Sequence, residues 1–176
     1  MIIKEIRNRR SVREYQSKEV PDELITEVIK AGQFAPTARN NRAIEYVVIK
    51  DKKTKEDIFN LIGQEFVKQA PVLIIPISDA EKIEVPTETA IKLSMHDLAA
   101  ASENIFLQAT ALGLGTVWKN LKAETGEIEK IKTMLDIPKR YTLINIIPLG
   151  YPETIPEPKM DEDFDPKKIH QEKWQG

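Results

Sequence analysis

The stretch LSMHDLAAASENIFLQATALGLG, residues 93–115, carries apolar side chains around nearly every face of a helix. A helix over roughly 91–112 with that distribution belongs in the middle of a core. Ser102, Glu103, Asn104 and Gln108 interrupt the run too often for a membrane span. Gly113 and Gly115 close it, the pattern of a plain glycine cap. Such a helix needs apolar partners on several sides, so its neighbours in sequence must supply strands and further helices.

Upstream, PVLIIPIS (71–78) is almost entirely apolar, the pattern of a strand buried on both faces. IEYVVIK (44–50) is a strand by its β-branched and aromatic content. Downstream, TVWKN (116–120) reads as a short strand or edge, and YTLINIIPLG (141–150) as the last clear strand. Helical spacing fills the intervals. Residues 2–9 place Ile2, Ile3 and Ile6 on one side. In VPDELITEVIKAGQFAP (20–36), Pro21 suits the first turn, Asp22 and Glu23 its positive end, and Leu24, Ile25, Val28 and Ile29 form the stripe. Residues 52–69 carry Ile58, Leu61, Ile62 and Phe66, and ETGEIEKIKTML (124–135) adds another helix. DAEKIEVPTE (79–88) reads as a loop. The tail from Tyr151, rich in Pro, Asp, Glu and Lys, buries little within its own subunit. Helices and strands interleave, which places the chain in the α/β or α+β class.

At 176 residues, 41% hydrophobic and 31% charged, the chain is expected to form one domain with a real core. A net charge of −2 argues against a protein that coats nucleic acid. The absence of cysteine excludes disulfides, thiolate catalysis and cysteine metal sites. His96 and His170 lie far apart and in no ligand-spaced cluster, so no metal is expected, and both suit capping or surface roles. MIIKEIRNRR at the N-terminus has no apolar core of signal-peptide length, which makes a cytoplasmic location the expectation. Against this acidic background IRNRRSVREY (6–15) sets four arginines around Ser11. A solvated cationic turn is the plain reading. A local cluster in an acidic protein also points to a small anion rather than a polymer.

Three segments stand in a fixed order: RRSVREY (9–15), APTARN (35–40) and ALGLGTVWKN (111–120). Together with LINIIPLGYPE (143–153) they resemble the FMN-dependent nitroreductase family over most of the chain. The resemblance implies an α+β fold, with a central mostly antiparallel sheet flanked by helices, in a domain-exchanged homodimer. Residues 1–176 would be a single FMN-binding domain, with 151–176 as an extended tail wrapping the partner subunit. It further implies bound FMN, NAD(P)H as reductant, and ping-pong reduction of a small acceptor such as a nitroaromatic or quinone. By this likeness Arg9, Arg10 and Ser11 hold the phosphate and ribityl end, where forked guanidinium bonds suit phosphate oxygens. Arg13 would lie near N1 and the C2 carbonyl, where a fixed cation favours reduced flavin. Pro36, Thr37, Ala38 and Asn40 belong to a loop that reaches the other subunit's flavin, with Arg42 just beyond it. Leu114, Gly115 and Thr116 pass beside the ring. No side chain is required as nucleophile or proton donor, because the cofactor carries the chemistry.

The departures are local. Where the family often continues x-Q-P-W after the Asn, this chain has Asn41, Arg42, Ala43 and Ile44, so an aromatic is replaced and a cation added. Where many relatives have a phosphate-binding arginine in the tail, DEDFDPKKIH places Asp163, with Lys159 nearby to help. Alternatives within the fold are dehalogenation, enoyl-type reduction and flavin breakdown. A non-catalytic flavin carrier or regulator is the rival from another class. A nucleic-acid module would need more aromatics than this chain has.

Overall fold

The computed structural model describes residues 2–174. Six strands among them, β1 (Ile44–Ile49), β2 (Val72–Asp79), β3 (Gly115–Thr116), β4 (Lys119–Asn120), β5 (Tyr141–Thr142) and β6 (Asn145–Gly150), form an antiparallel arrangement. The order is β1-β2-β6-β3, with β5 also on β2 and β4 also on β6. The helices are α1 (Lys4–Asn8), α2 (Asp22–Gln33), α3 (Lys52–Ile62), α4 (Glu65–Gln69), α5 (Thr87–Ala111) and α6 (Glu127–Met134). The class is therefore α+β.

β2 is buried along its whole length, as its composition predicts. Side chains alternate across a strand. Val72 and Ile74 accordingly join Val28, Ile105 and Ile147 in the core beneath α2 and α5. Leu73, Ile75 and Ile77 join Ile58, Val67 and Ile131 in the core beneath α3, α4 and α6. Two helical layers thus enclose one sheet.

Three boundaries and the burial of one helix differ from the sequence reading. The helix expected over 52–69 breaks at Gly63, whose φ of 72° ends α3 in the left-handed conformation that glycine adopts at least cost. The expected 141–150 strand carries a slip of one residue between Ile74↔Ile147 and Ser78↔Thr142, so β5 and β6 are separated by a bulge. The expected 79–88 loop contains a 3-10 turn at Ala80–Lys82, and α5 begins at Thr87, behind Pro86. Finally, α5 is not buried all round. Ser94, Asp97, Leu98, Ala101, Ile105 and Ala109 face inward, whereas Ile91, Met95 and Ala99 form an exposed apolar stripe. No helix among the described residues is long and apolar enough to cross a membrane.

Candidate functional site

The arginine-rich segment lies along the sheet edge. Ser11 bridges to Thr116, and the Val12 N–H donates to the Thr116 carbonyl at 2.9 Å. Extended backbone alternates, so Val12 turns inward and is buried while Ser11 and Arg13 face outward. The approach is so close that a Cβ on Gly115 would meet Val12 side-chain carbons at 2.7–2.8 Å. Glycine is required there by space. Tyr15 secures the far end, donating its hydroxyl to the Val12 carbonyl at 2.7 Å. Burial raises the Tyr15 pKa well above the usual phenol value and keeps that donor protonated.

Each cation in this segment is held differently. Arg9 is half-buried, with its Nε 3.8 Å from Glu103 on α5. Arg10 donates Nη1 to the Glu157 carbonyl at 2.7 Å. Arg7 pairs with Asp161 and exchanges backbone contact with the tail, where the Lys159 N–H donates to the Arg7 carbonyl at 2.9 Å. Arg13 makes no hydrogen bond to any described residue. Beside them is a cavity of about 310 Å³, lined in part by Arg10, Val12, Gly113, Leu114, Gly115 and Ile155. The structure thus brings Arg10 and Ser11 beside Leu114, Gly115 and Thr116. Fork-shaped donors with spare valence at a cavity suit an anionic group such as a phosphate.

The second predicted segment is elsewhere. Thr37, Asn40 and Arg42 line a separate cavity of about 570 Å³, with Gln33, Phe34 and Ile44. Arg39, Asn40 and Arg42 all have positive φ (54°, 52° and 49°). A non-glycine residue in that region costs roughly 1–2 kcal/mol. The turn is held by Asp97 on α5. Its Oδ1 accepts the Ala38 N–H at 2.8 Å, and its Oδ2 accepts Asn41 Nδ2 at 2.9 Å. Pro36 and Ala38 do not line this cavity, and the Arg42 N–H reaches Thr37 Oγ1 at 3.3 Å. Asp97 and Glu103 are six residues apart, about 9 Å along α5. The two cavities share no lining residue, and no hydrogen bond or ion pair among the described residues joins the two segments.

Asp97 and Glu103 escaped the sequence reading. The available signal for Asp97 was a lone carboxylate on the inward face of an apolar helix, in register with Ser94, Leu98 and Ala101. In the tail, Asp163 accepts the Met160 N–H at 3.1 Å and closes its own turn, and Lys159 is exposed.

A helix-clad antiparallel sheet, with an arginine-lined cavity at its edge and a braced polar loop on the same long helix, defines an α+β protein that can receive a phosphorylated ligand. The comparisons narrow this class. The profile of the Nitroreductase family matches residues 6–66 and 59–151. A protein of Methanothermobacter thermautotrophicus, provisionally named an NADH dehydrogenase/NAD(P)H nitroreductase, is 35% identical over 98% of this chain and 87% of its own length. An FMN reductase [NAD(P)H] of Bacillus subtilis is 27% identical, covering 86% of this chain and 66% of its own. The solved structure of an FMN-dependent nitroreductase from Clostridium difficile superposes with a TM-score of 0.86 at 30% identity, covering 98% and 100% of the two chains. The chain belongs to the nitroreductase family.

Proposed function

We propose that the protein is an NAD(P)H-dependent FMN oxidoreductase that reduces a small acceptor such as a nitroaromatic or a quinone. The observation that carries this reading is the junction of the arginine segment with Gly115–Thr116, which pairs Ser11 with Thr116 and sets Arg10 at the edge of a cavity. Bound FMN would supply hydride acceptance from NAD(P)H and re-oxidation by the acceptor. The residues fit that group. Arg9, Arg10 and Ser11 offer donors for the phosphate and ribityl end, and Lys159 stands on the tail segment whose backbone is tied to Arg7. Arg13, exposed and without a hydrogen bond to any described residue, is free to lie against the electron-rich side of the reduced ring. Leu114, Gly115 and Thr116 provide close backbone on one side.

The loop containing Pro36, Thr37, Ala38, Asn40 and Arg42 completes the site from a second copy of the chain. Three features support a homodimer: the two half-sites do not meet within one chain, α5 exposes Ile91, Met95 and Ala99, and the tail exposes Ile155, Phe164, Ile169 and Trp174. Residues 151–161 run back along the same chain's residues 7–16, so the part of the tail available to wrap a partner starts beyond them. A dependence on NAD(P)H favours the cytoplasm. The reading is tested by mixing FMN-loaded protein anaerobically with NADH or NADPH and following the visible flavin absorbance. Bleaching, reversed by a nitroaromatic or quinone, is expected. Bound flavin that neither reductant bleaches would make the protein a carrier instead.

A further inference from the structure

We propose that Asp97 is the positioning residue for the loop Thr37–Arg42, holding it in the conformation that turns Asn40 and Arg42 toward the larger cavity. The inference rests on the reading of this loop as part of the flavin site and adds a residue that reading does not contain. Asp97 is 5% exposed, and both of its oxygens are used by groups outside its own helix. Asn41 extends the tether. Its Nδ2 also donates to the Ala38 carbonyl at 2.6 Å, and its Oδ1 accepts the Ala43 N–H at 2.7 Å. One carboxylate therefore secures both ends of the turn.

The helix itself has no need of this group, since α5 is apolar on that face and its Ser94 and Ser102 are satisfied by Ser78 and by the Leu98 carbonyl. The turn does need it, because three side-chain-bearing residues sit in the left-handed region and relax if released. Neither loop arginine competes for the carboxylate. Arg39 donates to the Glu84 carbonyl at 3.2 Å, and Arg42 Nε lies 3.4 Å from Asn40 Oδ1. A loop ordered in advance costs a ligand no ordering on arrival. The tether should therefore be read in ligand affinity.

In Asp97→Asn an amide donor faces the Asn41 amide donor, and the charge-assisted bonds are lost. FMN titrated into the flavin-free full chain, followed by fluorescence quenching, should bind about tenfold more weakly. Hydrogen exchange should show Ala38 and Ala43 amides losing protection while the α5 amides keep theirs. Asn41→Ala cuts the same tether from the loop side: it should weaken FMN binding in the same direction and release the Ala38 and Ala43 amides to exchange while the α5 amides stay protected. Unchanged FMN affinity in both single variants, or a lowered midpoint with affinity intact, would overturn the proposal. If the parent protein itself fails to bind FMN, the flavin reading falls, and the exchange pattern still decides whether Asp97 holds the loop.

Discussion

Arg9 and Lys159 both stand in the proposed phosphate cluster, yet their surroundings give them different weight. Arg9 is half-buried against α5, whereas Lys159 is exposed and contributes its backbone N–H to the Arg7 carbonyl. A lost charged hydrogen bond costs roughly 1.5–3 kcal/mol, or about one to two decades in affinity. Arg9→Ala should therefore weaken FMN binding more than Lys159→Ala, as measured by titration at fixed ionic strength. Glu103 faces the same guanidinium, and a carboxylate beside a phosphate site repels the ligand while occupying its cation. Exposed ion pairs are worth about 0–1 kcal/mol. Glu103→Gln should therefore tighten FMN severalfold at most and leave riboflavin, which has no phosphate, unaffected. A change in riboflavin affinity equal to that for FMN would mean Glu103 acts by packing rather than charge. Gly115→Ala is a steric experiment, because the added methyl meets buried Val12, whose backbone is tied to Thr116. Overpacking of this kind costs about 1–3 kcal/mol. Chemical denaturation should register that loss together with weakened FMN binding.

Among the elements, α6 and β4 are joined by the buried pair Lys119–Glu127 at 3.2 Å, and Glu127 also accepts the Lys122 N–H at 3.1 Å. Burial pushes the Glu127 carboxyl up, but the Lys122 N–H and the Lys119 ammonium outweigh it, and the net shift is downward. A carboxyl with a depressed folded pKa adds stability that is present above its unfolded pKa, about 4.3. That stability is lost as pH falls through the lower folded value. Glu127→Gln should thus be clearly less stable than the parent near neutrality, with the gap narrowing in acid. Urea midpoints measured across that range check it, and a gap independent of pH would argue against the ionic origin. The elements also mark where local patterning sufficed. The burial of β2 on both faces was legible because every residue from Val72 to Ile77 is apolar, a composition that suits a doubly covered strand. The bulge between β5 and β6 was not, since Leu143 and Ile144 look like any other strand residues and the slip exists only against β2.

At the scale of the molecule, the two segments proposed to meet one flavin sit on separate cavities of one chain, so assembly and cofactor binding should be linked. Sedimentation of the FMN-loaded protein should give a dimer, and a stable monomer retaining FMN would defeat the two-subunit site. Removing residues 164–176 takes away Phe164, Ile169 and Trp174 but none of the tail contacts to residues 7–16. The shortened protein should fold, as judged by its thermal midpoint, and should dissociate at higher concentration than the parent. An unchanged dimer would place the interface on α5 alone.

The sequence by itself determined where most helical and strand segments lie, the arginine turn at 9–13 and the family likeness, because each is written in residues within a few positions of one another. Only the tertiary structure decided which of these touch. Val12 meets Gly115, and Ala38 meets Asp97 at a separation of 59 residues. α5 hides one face and exposes Ile91, Met95 and Ala99 despite apolar residues on both. Local periodicity states that a side chain is apolar or charged. The partner that satisfies it comes from another element, and no spacing within the helix encodes that choice.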